Sequence, residues 1–71
     1  MFPLTEKQTR LKRFIADEIA GTGMAPRFDD MMAHMQLGRS AVHRIITGLE
    51  ERGHIQRLPR RARAIKILEE K

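Results

Sequence analysis

Seventy-one residues carrying 14 Lys and Arg against 9 Asp and Glu make a small, basic chain of net charge +5. A chain this short buries only about 60% of its unfolded surface, which leaves no room for a second core, and with no cysteine it has neither a disulfide framework nor a thiolate metal site. No apolar run approaches the roughly 20 residues that span a bilayer, and no signal-peptide pattern opens the chain. The expectation is one cytoplasmic domain over residues 1–71 with an aliphatic, Met-rich core.

Thr5 followed by Gln8 reads as a capping box that opens a first helix. Leu11, Phe14, Ile15 and Ile19 recur at helical spacing behind it, and Gly21 and Gly23 stop the run, which places the helix at about 6–21. Pro26 closes the next loop. A second helix is expected from about Phe28 to Met35, with Asp29 and Asp30 in its first turn, where the helix dipole favours carboxylates. Phe28, Met31 or Met32, Met35 and Leu37 supply its apolar side, Met24 joins the methionine core, and Gly38 makes the turn.

Ser40 is a good N-cap for a third helix reaching Arg52, on which Val42, Ile45, Ile46 and Leu49 form one stripe at i, i+3, i+4, i+7. Gly48 in mid-helix costs about 1 kcal/mol relative to alanine, a cost that a close helix crossing would explain. After Gly53 the apolar period falls from 3.6 to about 2. HIQRL, a turn at PRRA and RAIKIL read as a two-stranded hairpin with Ile65 and Ile67 on one face and Lys66 on the other. The fold class is mainly α with a small β-hairpin: a winged helix-turn-helix of three helices plus a two-stranded wing.

Charge divides along the same line. Residues 1–38 hold equal numbers of acids and bases, whereas residues 39–66 hold eight basic residues against Glu50 and Glu51, a net +6. Arg57, Arg60, Arg61, Arg63 and Lys66 crowd around Pro59 with no acid among them. Such a face suits a polyanion, most commonly a DNA duplex. Like charges at a hairpin tip repel in the free protein, and the sign reverses where duplex phosphates exchange condensed counterions for them. Pro59 restricts the backbone at the turn, and Arg60 or Arg61 could instead enter a narrow minor groove.

LTEKQ in the first helix, TGMAP in the loop, FDDM on the second helix and VHRIITGLEERGHIQRLPRRARAIKIL together resemble the DNA-binding domain of the LexA repressor family, from about Leu4 to Leu68. The resemblance implies a transcriptional regulator, nucleoid-associated, that places its third helix in the major groove and rests its wing on the backbone. Two departures stand out: Arg27 occupies a position where the family tends to put a capping serine, and the turn LGRSAVHR is about one residue shorter than usual. LexA repressors also carry a C-terminal domain that dimerises and cleaves the chain with a Ser–Lys pair. Ser40 is the only serine here, so a non-enzymatic protein without cofactor is expected.

With the apolar stripe facing inward, the outward face of the third helix (about 40–52) presents Arg39, Ser40, Ala41, His43, Arg44 and Thr47 as candidates for reading DNA, with Glu51 beside them. Arginine can pair bidentately with guanine, serine and threonine can take a base edge or a phosphate, and Ala41 can pack on a thymine methyl. Arg39 and Arg44 could equally clamp phosphates, and Ser40 could cap the helix as well as meet one. The wing candidates (about 57–66) are Arg57, Arg60, Arg61, Arg63 and Lys66. Glu50 and Glu51, late in the helix, are expected to pair with Arg52 or to keep that surface soluble, not to act as catalysts. His34, His43 and His54 fall on three elements, so no metal site is expected. The partner is double-stranded DNA, alone or with a second copy on paired half-sites, a host regulator or RNA polymerase. The alternative is a protein-interaction module that docks on, or competes with, a host transcription regulator.

Overall fold

The computed structural model describes residues 4–57 and 65–68. Three helices come first, α1 (Glu6–Thr22), α2 (Phe28–Met35) and α3 (Arg39–Glu51), followed by the strands β1 (Ile55–Arg57) and β2 (Ile65–Ile67). Each boundary has a local cause. The capping box at α1 is complete: Gln8 N–H donates to Thr5 Oγ1 at 3.1 Å and Thr5 N–H donates to Gln8 Oε1 at 2.9 Å. α1 runs one residue beyond the expected 21, because Gly23, not Gly21, takes the left-handed conformation (φ 82) and returns its N–H to Ile19 O. The Thr22 hydroxyl donates to Glu18 O at 2.8 Å and closes the last turn.

α2 begins at Phe28 although Arg27 before it cannot cap: a guanidinium has no acceptor. Asp30 supplies the missing partner in the other direction, its carboxylate accepting from Arg27 N–H at 3.2 Å. α3 stops at Glu51, with Arg52 as its C-cap and Gly53 left-handed at φ 78. His54 then turns back, donating its N–H to Leu49 O at 3.0 Å, and the chain enters β1.

The core is aliphatic, as composition requires. Leu11 and Ile15 from α1, Met31 and Met35 from α2, the whole α3 stripe of Val42, Ile45, Ile46 and Leu49, and Ile55 from β1 are buried. Met31, not Met32, holds the fully buried α2 position, and Met32 is half-buried. Ala25 and Pro26 complete the core beneath the α1–α2 loop. Phe14, Ile19, Phe28 and Leu37 pack against this cluster from its rim. Met24 does not join it: at 49% exposure it lies outside, because the chain leaves α1 through Gly23 and turns inward only at Ala25. Phe14 also stacks on His34, with centroids 4.0 Å apart and planes 6° from parallel, pinning α1 to α2.

The strands pair antiparallel in the register Ile55↔Ile67, Gln56↔Lys66 and Arg57↔Ile65. Directly opposed residues share a face, so Ile55, Ile65 and Ile67 meet the helices while Gln56 and Lys66 face solvent. Leu68 N–H donates to His54 O at 2.9 Å and extends the ladder by one bond. Lys12 Nζ lies 2.8 Å from His54 Nδ1, tying α1 to the base of the hairpin.

Gly48 marks where α1 and α3 come together. A Cβ there would sit 2.5 Å from Gln8 Nε2, and Gln8 is already committed, since its Oε1 also accepts from Arg52 Nη1 at 2.9 Å. Gly48→Ala should therefore leave stability nearly unchanged, because the helix-propensity gain of about 1 kcal/mol is offset by displacement of the cap. In a Gln8→Ala background the same substitution should stabilise by about 1 kcal/mol. Urea-denaturation midpoints of the four proteins measure both effects.

Candidate nucleic-acid interface

The turn between α2 and α3 sets how α3 is offered to solvent. Gln36 takes its left-handed position (φ 57, ψ 45), the one positive-φ residue other than glycine among those described. Leu37 follows, donates its N–H to Met32 O at 3.1 Å and packs on the core. Gly38, expected to make the turn, is instead extended (φ −74, ψ 170) and is the N-cap of α3, its carbonyl accepting from Val42 N–H at 3.1 Å. The helix thus starts at Arg39, and Ser40 is not its cap. The reversal at Gln36 is complete early enough for helical geometry to begin before Ser40, whose side chain is left in the exposed first turn. That turn holds no acidic residue and no side-chain cap.

Burial of Val42, Ile45, Ile46 and Leu49 forces the other side of α3 outward, where an open groove is lined by Arg39, Ser40, His43, Arg44, Thr47, Gly48 and Glu51, with Phe28 contributed by α2. Five of the six expected recognition-helix residues share this groove. Ala41 does not; it is half-buried beside it. Arg44 is exposed, and among the described residues no carboxylate stands within ion-pair distance of it. Arg39 is engaged: its Nη2 lies 3.3 Å from Asp29 Oδ1, and its guanidinium stands 5.6 Å from the centroid of the Phe28 ring. Phe28 also meets His43, ring centroids 6.3 Å apart. Helical spacing did not reveal Phe28, which lines the groove, or Asp29, which meets Arg39 at its edge. Both lie on α2, and only the packing of α2 across α3 brings them to its first turn.

The wing residues divide. Lys66 is exposed on the outer face of the hairpin. Arg57 is half-buried on the face shared with Ile65, its Nη1 3.8 Å from Glu50 Oε1. Glu50 accordingly pairs across to the hairpin and not with Arg52, whose guanidinium reaches Gln8 instead. The reason is the C-cap at Arg52, after which Gly53 turns β1 back along the end of α3. Arg60, Arg61 and Arg63, with the turn that carries them, lie outside the described residues. No three His, Asp or Glu among the described residues are grouped to hold a metal ion, and no described helix is long and apolar enough to cross a membrane.

Three helices with a tight turn between the second and third, followed by an antiparallel hairpin, define a winged helix-turn-helix. The same fold is found in a possible transcriptional regulator, YydK, from Bacillus subtilis subsp. subtilis str. 168, with a TM-score of 0.62 at 18% identity over 94% of this chain and 31% of that one. Residues 1–64 match the LexA DNA binding domain, and the chain belongs to that family. It is 50% identical over 68 residues to the LexA repressor of Erythrobacter litoralis (strain HTCC2594), a match that covers 94% of this chain and 29% of that protein. The chain thus spans under a third of the length of that relative.

The left-handed Gln36 yields a direct test of the turn. An L-residue costs roughly 1–2 kcal/mol in this conformation and glycine does not. Gln36→Gly should therefore raise stability by about 0.5–1 kcal/mol after its larger unfolded-state entropy is subtracted, whereas Gln36→Val should lower it. Thermal unfolding of the two variants reads the sign.

Proposed function

We propose that this chain is a sequence-specific double-stranded DNA-binding module of a transcriptional regulator, entering the major groove with α3 and resting its hairpin on the backbone. The observation that carries this reading is the groove face of α3, where Arg39, Ser40, His43, Arg44 and Thr47 stand together with their backs to a buried stripe. Family membership supports the same partner.

The roles follow from chemistry. Arg44, exposed and free of carboxylates among the described residues, offers a bidentate donor pair to guanine O6 and N7. His43 and Thr47 offer further donors and acceptors on adjacent turns. The α3 N-terminus, which has no side-chain cap and holds Ser40 in its first turn, suits a phosphate. Lys66, together with the charges of Arg60, Arg61 and Arg63, supplies sequence-independent attraction to the backbone. Arg57 acts mainly as the tie between hairpin and α3. The whole of residues 1–71 serves as one such module. A module this size buries about 600–1,000 Å² on DNA, so tight occupancy calls for two copies on paired half-sites.

Titration of labelled duplexes against salt tests the proposal. Neutralising about 4–6 phosphates gives a log–log slope of roughly −4 to −5, and a flat response rejects it. Arg44→Ala should cost about 1–3 kcal/mol on the preferred duplex and relax preference at one base pair. Replacing Arg60, Arg61 and Arg63 together by alanine should weaken all duplexes alike and shallow the slope by about 3.

A further inference from the structure

Arg39 is gripped from two directions by neighbouring residues of another helix. Asp29 Oδ1 lies 3.3 Å from its Nη2, and the Phe28 ring stands 5.6 Å from its guanidinium carbon. The ion pair is open to water, with side-chain exposures of 64% and 79%, so its contribution to folding is small. Its consequence falls on Arg39 as a ligand. A long, free arginine at the mouth of a DNA-binding groove is available to any phosphate on any sequence. With Asp29 beside it, an approaching phosphate encounters a second anion.

A guanidinium has five N–H donors, and the contact to Asp29 engages one nitrogen. The remaining donors can serve a neutral acceptor pair, such as the N7 and O6 of guanine, without expelling the carboxylate. The Phe28 ring meanwhile limits the positions the side chain can occupy. We infer that Asp29 is a positioning and specificity-determining residue, acting through Arg39: it biases that arginine toward a neutral base edge and away from the phosphate backbone. The inference rests on the proposed DNA reading and deepens it, because it makes an acidic residue outside the recognition helix part of sequence discrimination.

The test uses the full chain, with a preferred duplex selected from a random 20-base-pair pool and its single-base variants. Asp29→Asn keeps the shape of the exposed side chain and removes its charge. It should tighten binding to non-preferred duplex about two- to fivefold and steepen the salt slope by up to about 1. It should also reduce discrimination at one base pair about fivefold or more, within the range a bidentate arginine contact provides. In an Arg39→Ala background, Asp29→Asn should no longer change discrimination. If Asp29→Asn shifts preferred and non-preferred duplexes by one common factor, or acts equally with Arg39 absent, the inference is overturned. Unfolding midpoints identify a merely structural effect, which moves stability and not base preference. A parent protein that shows salt-dependent binding but no preferred duplex overturns the inference while leaving a non-specific DNA module. A parent with no salt-dependent binding rejects the proposed function itself.

Discussion

The structure depends on the burial of one stripe. Val42, Ile45, Ile46 and Leu49 are enclosed by α1, α2 and the hairpin, and each side chain of this kind contributes about 1.5–3 kcal/mol when removed from water. In so small a protein that sum is comparable to the whole margin of stability. The stripe therefore cannot rotate, and because α3 is a rigid cylinder, neither can its other side. Orientation of the polar face is a by-product of core formation.

Around this constraint, the polar contacts that cross between elements do different work. Gln8 joins the α1 cap to Arg52 at the end of α3, Lys12 meets His54 at the hairpin base, and Glu50 meets Arg57. All three gather at the C-terminal end of α3 and hold the hairpin in one place relative to the helix. The cluster of Phe28, Asp29, Arg39 and His43 gathers at the opposite end, where the groove opens. One end of α3 is fastened to the scaffold. The other carries the Arg39–Asp29 pair, which is open to water.

Belonging to the LexA DNA-binding domain family explains why this arrangement is economical in length. A duplex presents a repeating anionic backbone and an information-bearing groove, so a reader needs a projecting helix and a cationic flank at a fixed separation. In the proposed reading the two-stranded hairpin, three residues per strand in register, supplies that flank, and it also closes the core through Ile55.

Element order, the three helices, the facing of Ile65 and Ile67 away from Lys66 and the burial of the α3 stripe were determined by the sequence alone, because helical and strand periods are local and the apolar side chains that obey them are few; the strand register came only with the structure. Gathering of Arg39, Ser40, His43, Arg44 and Thr47 on one face followed from the same periodicity. Tertiary structure decided what periodicity cannot encode. Which residue absorbs the left-handed turn depended on where Leu37 could reach the core, so Gln36 took it and Gly38, not Ser40, became the cap. Met24 lay outside because the loop turns inward one residue later. Pairing of Arg39 with Asp29, of Glu50 with Arg57 and of Arg52 with Gln8 arose from elements that meet only after packing. Charged and polar partners are chosen by distance in space, and a linear sequence holds no record of that distance until the core has formed.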